Sequence, residues 1–185
     1  NGGFLFDDAS AICYSDNFDT LLNVISFLNT KISRKLLNAI NPTLNVQIGD
    51  IGSLPVPITN DLKYTLSNIQ LTKSDWDSRE TSWDFNTSPL FDGLLGDLGM
   101  ASSQFVKSRI EAKLKEGVTL KDAYQEYIKI WTNMFFQLHH NEEEINRQFI
   151  DIYELQDELT PDVPLEEITI LKEETSIENG ELVFH

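Results

Sequence analysis

Leu21, Ile25, Leu28, Ile32, Leu36 and Ile40 follow one another at spacings of three or four, the repeat of one helical face. Leu22, Val24, Phe27 and Leu37 widen that stripe. The spacing therefore predicts a helix from about Asp19, capped by Asp16 or Asp19 and stopped by Asn41-Pro42. Beyond it, Thr43 or Asn45 is placed to cap a very short helix, and Gly49 permits a turn. Leu54-Pro55-Val56-Pro57-Ile58 reads as a stiff extended segment, because neither proline donates a backbone hydrogen bond. Thr59 to Ser67 predicts another short helix. Ser74 is expected to cap a further one over Asp75 and Asp77. Trp76 and Trp83 are seven residues apart, a spacing that suits either one helical face or a segment that wraps across another domain.

Helical pattern returns from Ser102 or Ser103 to Glu116, where Gly117 stops it. Thr119 then opens a second helix, with Asp122 in the capping-box position. Tyr124, Tyr127, Ile128, Trp131, Phe135 and Leu138 line its apolar side, and the period continues through Ile145, Phe149, Ile152 and Leu155. Unbroken, this helix has roughly 36 residues and a length of about 54 Å, an expected arm packed against another long helix. Short strands are expected at Phe4 to Phe6, Ala11 to Tyr14 and Ile168 to Leu171. Asn179-Gly180 is a hairpin turn before Leu182-Val183-Phe184. The glycines before Phe4 suggest a chain that opens inside a larger domain. The expected fold class is α+β, mainly helical, with short strands followed by a long helical hairpin.

With 185 residues, 41% hydrophobic and 10% aromatic, the chain has the composition of a folded protein with one core or two small ones. Its apolar runs are too short to span a membrane, and no charged leader opens it, so a cytoplasmic location is expected. The single cysteine, Cys13, excludes an internal disulfide and is expected to be a buried small hydrophobe. Charge changes the picture more. The formal net charge is -16, with 14 acidic and 2 basic residues in 141–185 against 16 and 12 in 1–140. Such a balance is wrong for a free-standing nucleic-acid binder and suits a solubilising flank or one that meets a basic partner. Lys31, Arg34 and Lys35 form the densest positive cluster of the first part, either a solvated helix face or a set of phosphate contacts.

Catalytic chemistry is not legible. Gly93-Leu94-Leu95-Gly96 lacks the spacing of a phosphate loop. His139-His140 diverge by about 100 degrees on a helix, so no metal site is expected there. Asp75, Asp77, Glu80 and Asp84 raise a nuclease-type metal site as an alternative, but capping and solvation explain them more simply. The tryptophans read as packing anchors in preference to base-stacking platforms.

Five segments carry a resemblance: Asn41-Pro42-Thr43-Leu44-Asn45-Val46-Gln47-Ile48-Gly49-Asp50-Ile51, Leu54 to Ile58, Lys73-Ser74-Asp75-Trp76-Asp77-Ser78-Arg79-Glu80-Thr81-Ser82-Trp83-Asp84-Phe85, Asn141 to Arg147, and Asp151 to Pro161. Together they resemble the large adenine-specific DNA methyltransferases of BREX-type phage-defence systems. Arg79 stands where that family often carries an aromatic residue. The resemblance implies the C-terminal part of a target-recognition domain over 1–67 and a tryptophan-containing interdomain segment over 68–97. A helical spacer or hairpin over 98–159 and an acidic extended tail over 160–185 would follow. It implies DNA contacts from Lys31, Arg34, Lys35, Asn45 and Gln47, and interdomain packing by Trp76, Trp83 and Trp131. The family's Asn-Pro-Pro-Tyr-type catalytic tetrapeptide is missing, since Asn41-Pro42-Thr43-Leu44 shares only its first two residues. The expectation is a non-catalytic fragment with no cofactor or metal of its own, S-adenosylmethionine being bound elsewhere in the parent. Its implied partners are double-stranded DNA through the parent enzyme, the methyltransferase domain and other defence-system subunits. The alternative is a protein-interaction module without direct DNA contact.

Overall fold

The computed structural model describes residues 12–43, 46–85, 88–90, 116–117 and 119–185. Within them run α1 (Phe18–Leu28), α2 (Lys31–Ile40), α3 (Ile48–Gly52), α4 (Lys63–Asp77) and α5 (Leu120–Ile152), then a 3-10 turn (Leu165–Glu167) and strands β1 (Thr175–Glu178) and β2 (Glu181–Phe184). The fold is mainly helical α+β, with one long helix and one two-stranded antiparallel sheet. The strand expected at Phe4 to Phe6, the glycines at 93–99 and the helix expected from Ser102 lie outside the described residues.

Two compact units divide the chain, each built from two stretches: 1–66 with 142–162, and 67–141 with 163–185. Two of the three chain boundaries fall inside helices, one in α4 and one in α5, and the third follows Asp162. In the first unit the expected single helix is two. Asn29 and Thr30 interrupt it: Thr30 takes an extended backbone, and its hydroxyl accepts the Ser33 N–H at 3.2 Å, an N-cap in the middle of the apolar stripe. The cap of α1 is Asn17, not an aspartate, its Oδ1 accepting from the Asp19 N–H at 2.9 Å. The buried side is also rotated from the expected stripe. Leu22, Phe27 and Ile32 are buried together with Asn23, Ser26 and Ser33, while Ile25 is exposed. Phe27, Ile32, Leu54, Ile145, Phe149 and Ile150 form the core, with Val56, Tyr64 and Tyr153 packed on it. Asn41 closes α2 in an extended conformation, as the following proline requires. Ile12 to Tyr14 form no strand, and Cys13 is exposed. A lone thiol in an apolar run carries no information about what covers it.

In the second unit Tyr127, Trp131, Phe135 and Leu138 of α5 pack with Val163, Ile168, Ile170 and Leu171. The capping box that opens α5 is as expected: Thr119 N–H donates to Asp122 Oδ2 at 2.8 Å and Asp122 N–H to the Thr119 hydroxyl at 3.2 Å. Ser74 caps nothing, because α4 runs unbroken to Asp77. The polar residues of that stretch stay helical, Thr72 bonding back to the Asn68 carbonyl at 2.8 Å. Asn179 and Gly180 both take positive φ, 53° and 82°, the two-residue hairpin turn read from the sequence. It pairs Glu178 with Glu181 and Thr175 with Phe184. The preceding strand is Thr175–Glu178, not Ile168 to Leu171. Ile168, Ile170 and Leu171 are buried core residues, so their apolar run records packing and not sheet pairing. The hairpin packs Ile177, Leu182 and Phe184 against this core, and the Phe184 ring meets Tyr127 edge-on at 6.0 Å.

Helix α5 ends in a Schellman arrangement, with Leu155 N–H reaching the Ile150 carbonyl at 3.0 Å and Glu154 N–H the Asp151 carbonyl at 3.2 Å. Glu154 holds the left-handed position, φ 56°, where glycine carries no steric penalty. Glu154→Gly is expected to raise stability by about 0.5–1 kcal/mol, read as a higher urea midpoint. A lower midpoint would show that the glutamate side chain contributes more than its backbone conformation costs.

Candidate nucleic-acid interface

The basic helix α2 starts at a built junction. Its first N–H, that of Lys31, donates to Asn146 Oδ1 at 3.0 Å, and the Asn146 amide donates to the Pro161 carbonyl at 3.3 Å. The Lys31 ammonium reaches the Thr160 carbonyl at 3.4 Å and also bonds the Asp162 carbonyl. Lys31 thereby fastens the 160–162 segment to the start of α2. Arg34 and Lys35 are exposed, as is Asn38 one turn later, while Ile32 and Ser33 are buried. One side of α2 thus carries the unit's core and another carries the exposed Arg34 and Lys35.

The connection to α3 is held by Asp50. Its Oδ2 accepts from Asn41 Nδ2 at 2.7 Å and from the Gln47 N–H at 2.9 Å. Those two donors, the Asn41 amide first, hold its carboxyl below the ordinary carboxylate range. Asn41 Oδ1 accepts in turn from the Thr43 N–H at 3.1 Å and the Thr43 hydroxyl at 2.6 Å. Gln47 is exposed and is the N-cap residue of α3. Asn45 lies outside the described residues. Of the five residues expected at DNA, two cations lie together on α2, Lys31 is engaged at its start, and Gln47 stands at the far end of the loop.

Trp131 is buried in the core of the second unit, whereas Trp76 is 60% exposed and Trp83 fully so. Trp83 follows the end of α4, so the two do not share one helical face. Three of the four acids near them, Asp75, Asp77 and Asp84, are individually engaged. Asp75 Oδ1 accepts the Leu171 N–H at 3.0 Å and its Oδ2 meets Arg79 at 3.2 Å. Asp77 bonds Ser82 at 2.9 Å and pairs with Lys73, which also holds Asp84 at 2.9 Å. His139 Nε2 contacts the Val163 carbonyl at 2.7 Å. Among the described residues no group of His, Cys, Asp and Glu is placed to hold a metal ion, and no described helix is long and apolar enough to cross a membrane.

The polar contacts of three buried asparagines and of the Tyr127 hydroxyl were not read from the sequence. Asn23 bonds both the N–H and the carbonyl of Thr59, at 2.7 and 3.2 Å. Asn141 donates to Ser67 Oγ at 2.9 Å and Asn68 Oδ1 at 2.8 Å while accepting from Gln137. Asn146 is the third. Asn141 and Asn146 interrupt the buried side of the amphipathic α5, and that was the available signal, whereas Asn23 lies off the stripe expected for α1 and left none. The Tyr127 hydroxyl bonds the Glu174 carboxylate, and burial first, then that carboxylate, pushes its ionisation far above the ordinary phenol range.

No family model matches the chain. It is similar to the adenine-specific methyltransferase PglX of Lacticaseibacillus casei (strain Zhang), 32% identical over 171 residues, which are 91% of this chain and 13% of that protein. It is also similar to the adenine-specific methyltransferase BrxX of Escherichia coli O9:H4 (strain HS), 34% identical over 93 residues, 49% of this chain and 8% of that protein. The chain thus spans about an eighth of the longer match's own length. The resemblance read from its motifs is a homology covering nearly all its residues.

Proposed function

We propose that this chain, homologous to one segment of the BREX-family adenine-specific methyltransferases, serves such an enzyme as a non-catalytic support for DNA target recognition and domain positioning. The observation that carries this reading is α2, whose Arg34 and Lys35 are exposed while Ile32 and Ser33 anchor the helix in its core. A guanidinium and an ammonium on a rigid helix suit phosphate contacts, which set register without reading sequence. Lys31 anchors the helix instead of touching DNA, and Gln47, exposed at the start of α3, supplies an amide for a groove contact beyond it. Methyl transfer from S-adenosylmethionine belongs to another part of the enzyme. The exposed indoles of Trp76 and Trp83 pack against neighbouring domains of the enzyme, and Trp131 supports that surface from within its core.

Replacing Arg34 and Lys35 together by alanine in the full-length methyltransferase is expected to weaken duplex binding across all sequences. The slope of log affinity against log salt should fall by about one unit per lost contact. An unchanged slope would remove α2 from the interface. A second reading, docking onto another protein of a defence complex without DNA contact, is favoured by the 14 acidic residues in 141–185. Saturable binding of this chain to the rest of the enzyme, with no salt-sensitive DNA term, would establish it.

A further inference from the structure

The carboxylate at the far end of α2 has two unequal oxygens. Oδ2 of Asp50 is held by the Asn41 amide at 2.7 Å and the Gln47 N–H at 2.9 Å. Oδ1 makes no hydrogen bond among the described residues, and Asp50 is half-buried. Because Asn41 is the C-cap of α2, this group is fixed to the helix that carries Arg34 and Lys35. Six or seven residues of helical rise, about 9–10 Å, separate those cations from Asn41. That span is of the same order as the roughly 12 Å width of the DNA major groove, so cations at one end and a carboxylate at the other can address a phosphate and a base edge together. A carboxylate beside DNA is repelled by phosphate unless it meets a donor. The only donors that base pairs present in the major groove are the exocyclic amino groups of cytosine and adenine.

We propose that Asp50 is a specificity-determining residue whose open oxygen accepts a hydrogen bond from the exocyclic amino group of cytosine or adenine at one base pair of the target. The inference rests on α2 facing DNA. It adds to that reading a directional contact that reads sequence, where Arg34 and Lys35 only position. Pinning Oδ2 with two donors orients Oδ1 before DNA arrives, so little side-chain freedom is lost on contact. The same two bonds close the α2–α3 connection, so removal of the side chain has both a structural and a reading effect, and one substitution separates them. In Asp50→Asn the side-chain oxygen takes over the two pinned bonds and the amide NH2 occupies the open position. An acceptor becomes a donor in an otherwise conserved frame.

The experiment maps methylated adenines and their sequence context in DNA modified by the full-length enzyme, its Asp50→Ala, Asp50→Asn and Arg34→Ala/Lys35→Ala variants. Asp50→Ala is expected to flatten the preference at one base pair by about fivefold or more. Asp50→Asn is expected to move that same position toward guanine or thymine, whose O6 and O4 are acceptors. The Arg34/Lys35 variant should lower methylation at every site without altering context. A uniform loss in both Asp50 variants, or an unchanged context, overturns the assignment of Asp50 while leaving α2 at the DNA. An unaffected Arg34/Lys35 variant overturns the reading of α2 itself.

Discussion

Phe149→Ala is expected to cost about 3–5 kcal/mol, the largest loss among the substitutions considered. Phe149 is fully buried in α5, with its ring 5.4 Å from that of Phe27 at a tilt of 59°. Phe27 is itself fully buried and lies 6.0 Å from the Tyr153 ring, so it cannot move into the vacated space without giving up that contact. Ile32, Leu54, Ile145 and Ile150 complete the surroundings, and helices hold several of them in place. The cavity therefore persists, and the cavity cost adds to the lost burial. Against a typical total of about 5–15 kcal/mol, such a loss leaves the first unit barely folded. Urea unfolding followed by circular dichroism measures it. A loss below about 1 kcal/mol would mean that this core is not closed around Phe149.

Asp75→Ala is expected to cost about 2–3 kcal/mol, by a different route. Leu171 is almost fully buried and has a positive φ of 60°, a conformation a leucine adopts at a steric cost. Its N–H has the Asp75 carboxylate as partner at 3.0 Å, and its carbonyl accepts from both Glu174 and Thr175 N–H at 3.0 Å. Alanine at 75 strands that buried N–H and leaves Arg79 with the exposed Glu173 alone, 3.1 Å away. Asp75→Asn keeps an acceptor for Leu171 and gives up the charge facing Arg79, so its loss should be roughly half as large. Equal losses in the two variants would place the stabilisation in the Asp75–Arg79 pair and not in the support of Leu171.

Local chemistry was legible wherever one residue type fixes the backbone by itself. Thr119 with Asp122, Asn179 with Gly180, and Pro42 after Asn41 each took the conformation their side chains favour. The length of α5 was legible as well, because its apolar period is long. The face that a helix buries was not. Leu21, Ile25 and Leu28 make as good a stripe as Leu22, Ser26 and Phe27. What selects the second is Thr65, whose hydroxyl meets Ser26 Oγ at 2.9 Å, and Thr59, whose backbone meets Asn23. Both lie more than thirty residues away and leave no mark on local periodicity. The candidate interface was legible only as a cluster of cations. Whether Lys31 faces solvent or the 160–162 carbonyls depends on a segment some 130 residues later. The part played by Asp50 follows from its bond to Asn41 across nine residues.

The pairing of Asn23 with Thr59 has a consequence for the proline-rich stretch before it. A primary amide offers one donor and one acceptor side by side, the same face a peptide group shows, so the Asn23 side chain behaves as a single borrowed rung of sheet. Only a residue with both an N–H and a carbonyl can complete that rung. Pro55 and Pro57 cannot, so sliding the chain forward by two or four positions leaves the amide half empty. The prolines and one asparagine thus act as a key and its wards: the stretch from Leu54 to Thr59 seats in one frame without belonging to any strand.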